Sequence, residues 1–311
     1  MKKNITILTP CFNDESTVRG RFEAVRSLFE QQLPEYSFDY IFIDNCSTDR
    51  TAEILRDMAG QDKRVKVIVN SRKFDQHISL YYGMLQMSSD AVIPLFADEF
   101  PLQIMVDFVK KWDEGNLMVL GVRQEVKEGF FFRQAKRQFY WLVNNVSNVK
   151  QIKNFMGYGI YDRKIIEILR RLDNRSPYLK GLIAEIGYDK VILEYEPVAN
   201  TIDNSNSGGL TSLIDVAILG ISSSSQYPIR LMTIIGGAIS LLSFLVALTY
   251  FVLKLVNWND FDMGLAPAII GTFFFGSVQL LCIGWLGEYV SRIIEHVKAY
   301  PLVLEKERIN F

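Results

Sequence analysis

Apolar residues recur along the first hundred positions in two alternating rhythms. The short runs Ile5–Thr9, Tyr40–Ile43, Val65–Val69 and Ala91–Phe96 are nearly continuous, the pattern of strands buried on both faces. Between them lie helical spacings. Val18, Phe22, Val25, Leu28 and Phe29 share one face of a helix predicted over Ser16–Gln32. Ile54, Leu55 and Met58 mark a second helix, and Ile78–Met87 a third. Strand and helix in alternation predict an α/β domain with a parallel sheet covered by helices.

In such sheets ligands gather at the carboxyl ends of the strands. Each predicted strand here runs into a polar cluster: Asn13 and Glu15 after the first, Asp44 and Asn45 after the second, Arg72 after the third, Asp98 after the fourth. Taken singly, residues such as Asp44, Ser47 and Asp49 are also good helix caps. Four clusters at one rim point to a site. Neither GxGxxG nor GxxxxGK[ST] occurs, so a nucleotide would be held by side chains and a metal rather than by a phosphate-cradling turn.

The last third of the chain changes character. Leu231 to Leu253 and Met263 to Gly287 contain no charged residue. Each exceeds the roughly 20 residues needed to cross about 30 Å of hydrocarbon. The short connection 254–262 predicts a transmembrane hairpin; a pair of buried core helices is the alternative. Arg230, Arg292 and Lys298 flank the side that carries the charged domain, which the positive-inside bias assigns to the cytoplasm. Gly236, Gly237, Gly271, Gly276 and Gly284 either allow close helix packing or are simply tolerated there. Leu213, Ile214, Ala217, Ile218 and Ile221 predict an amphipathic helix before the first span, lying on a membrane surface or facing a core. The expected organisation is a catalytic domain over 1–210, the amphipathic helix over 211–230, a hairpin over 231–290 with spans at about 231–253 and 263–287, and a tail over 291–311.

The composition of the 311 residues, 49% hydrophobic and 22% charged, excludes a disordered chain. A formal charge of −1 gives no basic field, so no nucleic-acid partner is expected. Cys11, Cys46 and Cys282 have neither disulfide nor metal spacing, which fits a reducing compartment. The start MKKNITILTP reads as a first strand and not as a signal peptide.

Several segments together carry a family resemblance. They are Thr9–Glu15 (TPCFNDE), Ile43–Thr51 (IDNCSTDRT), Asn70–Phe74 (NSRKF), Gly83–Gln86, Ser89–Ala91, Lys111–Gly115, Asn154–Asp162 (NFMGYGIYD) and Gly284–Arg292 (GWLGEYVSR). In order and spacing the chain resembles the family 2 glycosyltransferases of the polyisoprenyl-phosphate type, over nearly its whole length. The resemblance implies a GT-A fold and inverting transfer of a sugar from a nucleotide sugar to a lipid phosphate, with Mg²⁺ or Mn²⁺. It implies that Pro10, Phe12, Asn13 and Glu15 line the nucleotide pocket and that Asp44 accepts a hydrogen bond from the base; Asn45 and Arg72, at the ends of the second and third strands, are expected to bind the nucleotide with them. Asp98, with Glu99 as a further ligand, would hold the metal. Homo-oligomerisation is implied by resemblance alone.

The chain departs from the family pattern in three places. The acidic motif that commonly reads Asp-x-Asp-Leu-Gln-Asp-Pro-Pro-Glu is here Phe96-Ala97-Asp98-Glu99-Phe100-Pro101-Leu102-Gln103. The later Gly-Asp-Phe-Arg is Gly157-Tyr158-Gly159 followed by Ile160, and the usually basic loop before the amphipathic helix is the cation-free 200–209. Other cations fit the anionic substrates. Arg133 and Arg137, with Lys136 and Tyr140, recur along one predicted helix; this is a phosphate-holding strip, a solvated face or a contact to anionic lipid headgroups. Phe130–Phe132 reads as core or as a membrane-interface element, His77 as a structural hydrogen-bonding residue, and Lys180 as a phosphate contact.

The leading expectation is a membrane-anchored enzyme moving a hexose, from a UDP-sugar by preference, to undecaprenyl phosphate for cell-surface glycan decoration. A polyprenyl acceptor stays in the bilayer at about 0.8 kcal/mol per buried CH₂, so the site must come to the lipid. The alternative is a degenerate transferase that binds a partner or lipid without catalysis, for which the altered acidic motif and neutral loop speak. A processive polysaccharide synthase fits less well, since two spans are few for a translocation pore.

Overall fold

The computed structural model describes residues 2–95, 101–124, 152, 155–172, 179–196, 265–297 and 301–311, with a few isolated positions between 236 and 252. Asp98, Glu99, Phe130–Phe132, Arg133, Lys136, Arg137, Tyr140, the 200–209 loop, the segment 211–230 and most of 231–253 lie outside them. The chain divides into two compact units, Met1–Arg137 with Val149–Leu213 and Ala299–Phe311, and Gln138–Asn148 with Ile214–Lys298.

The first unit holds β1 (Asn4–Cys11), α1 (Val18–Gln32), β2 (Ser37–Asp44), α2 (Thr51–Gln61), β3 (Val65–Asn70), α3 (Gln76–Gln86) and β4 (Ala91–Pro94). There follow α4 (Ile104–Asp113), β5 (Met118–Arg123), β6 (Phe155–Asp162), α5 (Arg163–Leu172), α6 (Leu179–Glu185), β7 (Val191–Tyr195) and, last in the chain, β8 (Glu305–Ile309). The strands form one sheet in the order β7-β5-β6-β4-β1-β2-β3-β8. Strands β1 to β4 are mutually parallel and β7 runs parallel to β5, but β6 is antiparallel to both β4 and β5, and β8 is antiparallel to β3. The expected parallel sheet is thus corrected to a mixed, mostly parallel one. Two reversed neighbours, β4–β6 and β6–β5, leave the carboxyl ends of β1 to β5 at a common rim.

The apolar runs are buried as their continuity requires. Every residue of β1 beyond Asn4 is inaccessible, and the α1 face Val18, Phe22, Val25, Leu28 and Phe29 packs onto the sheet. Tyr40 and Phe42 stack with ring centroids 4.1 Å apart. Helix α3 lies close on the sheet because position 83 is glycine: a Cβ there would meet Ile43 Cδ1 at 2.4 Å and Leu8 Cδ1 at 2.6 Å. Arg170 of α5 donates to the carbonyls of Leu85 and Met87, acceptors that α3 leaves open at its C-terminal end, and Arg163 to those of Ser88 and Ser89 in the turn that follows. Strand β4 stops at Pro94 instead of reaching Phe96, and Leu95 N–H donates to Leu8 O at 2.7 Å.

The second unit contains α7 (Leu265–Val297), 33 residues long, about 50 Å at the α-helical rise. Most of the uncharged run Met263–Gly287 falls within it. Phe274, Ile283, Leu286, Ile293 and Val297 on this helix are exposed. Among the described residues, no helix is long and apolar enough to cross a membrane.

Candidate functional site

Three loops meet at the rim: 12–17 after β1, 45–50 after β2 and 71–75 after β3. The first two are laced together through backbone donors. Asn45 N–H donates to Cys11 O at 2.8 Å, Asn13 N–H to Ser47 Oγ at 3.0 Å, Asp14 N–H to Thr51 Oγ1 at 2.8 Å and Glu15 N–H to Asp49 Oδ2 at 3.2 Å. In return Thr48 N–H donates to Asn13 Oδ1 at 2.9 Å and Arg50 N–H to Glu15 Oε2 at 3.0 Å. Asn13 and Cys46 both adopt left-handed backbone, φ 54° and 63°, a conformation asparagine tolerates and cysteine rarely takes. The side chains of Asn13 and Glu15 therefore shape the rim by bonding neighbouring backbone. Pro10 is in register with Ile43, beyond the last β1–β4 pair, where a missing N–H removes no ladder bond to β4.

Asp44 ends β2 and is buried, 1% exposed. Among the described residues its two oxygens accept from Ser47 N–H, both at 3.3 Å, and the Ser47 side chain also bonds this carboxylate. Burial pushes its pKa above the ordinary carboxylate value. The Ser47 bonds and the Arg56 charge oppose that push, and Asp49 adds to it. Asn45, by contrast, is engaged at both of its polar atoms. Its Nδ2 donates to Phe74 O at 2.7 Å, and its Oδ1 accepts from Phe74 N–H at 2.9 Å and Asn70 Nδ2 at 3.0 Å. It braces the third loop against the second.

That third loop supplies charge. Lys73 Nζ lies 3.6 Å from the ring centroid of the half-exposed Phe12, and the Arg72 guanidinium lies 4.0 Å from the Phe74 ring. Both are cation–π arrangements that keep a positive charge beside a flat apolar surface. Asp75 caps α3, accepting from His77 N–H at 2.8 Å and Ile78 N–H at 3.3 Å. Protein packed around the His77 ring lowers its pKa, and the Lys180 charge lowers it further against the pull of Asp75. Lys180 is itself depressed by burial, and its Nζ has Met156 Sδ 3.5 Å away. Burial thus disfavours the charged form of both side chains, and an anion placed beside Lys180 would favour its protonated state.

Arg123 was not anticipated from sequence. It closes β5 at the same rim, and its Nε is buried without a hydrogen-bond partner. The signal was present: MVLGV followed by Arg is an apolar strand ending in a polar residue, the same pattern as the first four strands. Among the described residues no group of three or more His, Cys, Asp or Glu forms a metal centre. The described donors alone thus do not complete the ligand set expected of Asp98 and Glu99.

An α/β sheet whose carboxyl rim joins a buried acceptor, an aromatic platform and several cations is a GT-A-like fold suited to a nucleotide-bearing ligand. The chain belongs to glycosyl transferase family 2, whose model matches residues 6–169, and it is a glycosyltransferase. It is 30% identical over 305 residues to the SfII prophage-derived bactoprenol glucosyl transferase of Shigella flexneri, covering 97% of each chain. It is 30% identical over 309 residues to the bactoprenol glucosyl transferase of Shigella phage SfV, covering 98% of this chain and 99% of that one. Among solved structures, a mannosyltransferase from Pyrobaculum calidifontis in complex with GDP-Man and Mn²⁺ aligns with a TM-score of 0.45. Its identity is 12%, over 93% of this chain and 88% of that one.

Proposed function

We propose that this protein transfers a hexose from a nucleotide sugar, UDP-sugar by preference, to undecaprenyl or another polyprenyl phosphate, with inversion, at the cytoplasmic face of a membrane. The observation that carries the reading is the span of the likeness. It covers 97% of the chain, so the rim and the C-terminal apolar runs are both matched in proteins named as bactoprenol glucosyl transferases. The exposed large apolar residues along α7 fit a hairpin anchored in lipid. The acceptor phosphate has a second pKa of about 6 by analogy with phosphoserine, so it arrives largely ionised and needs no strong general base. An acceptor phosphate oxygen bonds to the anomeric carbon as the bond from that carbon to the departing diphosphate breaks.

The chain's task is to hold two anions close together, in line. Asp44 and the Pro10–Glu15 loop receive the nucleoside, Arg72 and Arg123 the diphosphate, and Arg133, Arg137 and Lys180 the acceptor phosphate. Asp98, with Glu99, would hold Mg²⁺ or Mn²⁺, which when bound offsets charge on the leaving diphosphate. The test is transfer of radiolabelled sugar from a set of nucleotide sugars into an organic-extractable product, with undecaprenyl phosphate and Mg²⁺ or Mn²⁺. Label in a lipid-phosphate-linked monosaccharide is the expected result. Binding of UDP-sugar with no turnover would instead support a non-catalytic, transferase-like membrane protein, the reading that the altered acidic motif favours.

Asp44 carries a pH-dependent prediction. Asp44→Asn removes a charged acceptor for the base and is expected to weaken UDP binding about tenfold to a hundredfold, the range for a hydrogen bond to a charged group. In the wild type, affinity should fall on acidification, starting above the ordinary carboxylate range, because the protonated acid no longer accepts as well. The Asn variant should show no such dependence. Folding responds with the opposite sign. A raised folded pKa means the native state holds the proton more tightly, so stability from this group is greatest below the unfolded value and falls as pH rises through the window. Calorimetric titration of UDP across pH checks the first effect, and urea unfolding across the same range checks the second.

A further inference from the structure

Strand β8 is an unusual addition to a sheet. Its sequence EKERI has one apolar residue, so it brings little hydrophobic surface to the edge it covers. Polar contacts hold it instead, and they reach three different elements. Arg56 of α2 grips Glu307 with Nε 2.9 Å and Nη2 2.8 Å from Oε2. Tyr82 of α3 donates to Glu305 at 2.8 Å, and Arg308 bonds Glu305 at 2.6 Å and Gln86 at 2.9 Å. Asn310, in left-handed backbone at φ 62°, donates to Ala59 O at 2.7 Å and Val65 O at 2.9 Å. Just before the strand, Leu304 O accepts from Ser71 N–H at 2.8 Å.

The register links these contacts to the rim. Cys11 pairs with Asp44, Asp44 with Val69, and Val69 with Glu307, so one transverse row runs across β1, β2, β3 and β8. Side chains in such a row project to the same face. Arg56, held by Glu307, therefore lies over the face from which Asp44 projects, and its charge acts on that acid. The β3–β8 register shifts between Val69 and Asn70, and such a bulge re-aims the chain that follows. That chain is the Ser71–Asp75 loop carrying Arg72, tied at Ser71 to Leu304.

We propose that the C-terminal strand is a positioning element of the nucleotide pocket: Glu307 fixes Arg56 where it supports Asp44 without occupying it, and Leu304 fixes the loop that presents Arg72. Released from Glu307, the Arg56 guanidinium is left with the Asp44 and Glu53 carboxylates, whose charges already act on it, and at Asp44 it would compete with the base. The inference rests on the nucleotide reading given above for the same rim.

The experiment is a double-mutant cycle on the full-length, detergent-solubilised chain, with UDP binding measured by calorimetry in Mn²⁺ and donor kinetics measured by sugar transfer. Glu307→Ala is expected to weaken UDP binding about fivefold and to raise donor KM by a similar factor, with kcat changed less than about twofold. In an Arg56→Met background the same Glu307→Ala change should have no further effect on UDP affinity, because the group it positions is gone. Glu307→Gln, which keeps the shape and a hydrogen bond, should fall between wild type and Ala. Wild-type-like UDP affinity in Glu307→Ala, even with a lowered melting temperature, or full additivity of the two changes, would overturn the proposal and leave the nucleotide reading standing. Failure of the wild-type chain to bind UDP would remove both.

Discussion

Asp98→Ala is expected to lower sugar transfer by about a thousandfold, near 4 kcal/mol of transition-state stabilisation, while the melting temperature stays close to wild type. The expectation starts at β4. Its last ladder pair is Leu8 with Pro94, and Leu95 N–H closes on Leu8 O, so the chain leaves the sheet at the rim that holds Asp44 and Arg123. Asp98 follows three residues later in the sequence, and it is the one acid left of the family pattern's first two, since Phe96 stands where the other is expected. The described residues assemble no group of three or more metal-binding side chains that could take its place. A glycosyl transfer between a diphosphate and a phosphate is governed by how like charges are held, so losing an anchoring carboxylate should reduce kcat more than donor affinity. Glu99→Gln should cost much less, because that position is acidic here by substitution and Asp98 is the proposed anchor. The measurement is initial rate against Mn²⁺ concentration for both variants beside wild type. Turnover of Asp98→Ala equal to wild type at every Mn²⁺ concentration would withdraw the metal assignment, and equal losses in the two variants would make the pair, rather than Asp98, the anchor.

Much of this arrangement could be read from the chain itself, and the limits have physical causes. Strands β1 to β4 and the buried face of α1 follow from uninterrupted apolar runs and from the spacing of Val18, Phe22, Val25, Leu28 and Phe29. The rim followed because a polar cluster ends each strand. What escaped was decided by contacts between distant positions. Asn13 and Thr48 are 35 residues apart, and nothing local distinguishes a residue that lines a pocket from one that braces its wall. Asn45 shows the ambiguity: the amide expected to face a nucleotide spends its polar atoms on Phe74 and Asn70. Strand β8 was hidden because hydrophobicity is the main strand signal and EKERI has almost none, as suits an edge strand protected by charge. Strand β6 carries a family motif but gives a weak strand signal, because glycines at 157 and 159 interrupt the alternation that marks a strand.

Those glycines are where a single methyl should do most damage to the fold. Gly159→Ala is expected to destabilise the native state by about 3–5 kcal/mol, a large share of the 5–15 kcal/mol that holds a typical domain. Gly159 pairs with Leu120 on β5, and a Cβ there would sit 2.4 Å from Val119 O and 3.1 Å from Leu120 Cα. Both are backbone atoms of a buried strand, so relief requires parting β5 from β6 rather than turning a side chain. Its φ of 157° adds backbone strain for any L side chain. Gly115→Ala separates the two costs. That residue also has positive φ, 98°, but nothing lies within 4 Å of its Cβ position, so strain alone remains, about 1–2 kcal/mol. Urea unfolding followed by tryptophan fluorescence should show the midpoint falling far more for Gly159→Ala than for Gly115→Ala, at unchanged slope. The consequence reaches the site, because β6 carries Met156 against Lys180 and sets Tyr158 edge-on to Phe108 and Tyr195. Parting β5 from β6 would also move Arg123, so any Gly159→Ala protein that still folds should lose transfer activity beyond its loss of folded fraction. A variant that folded normally and transferred sugar normally would mean that β5 and β6 can yield without disturbing the cations at their ends.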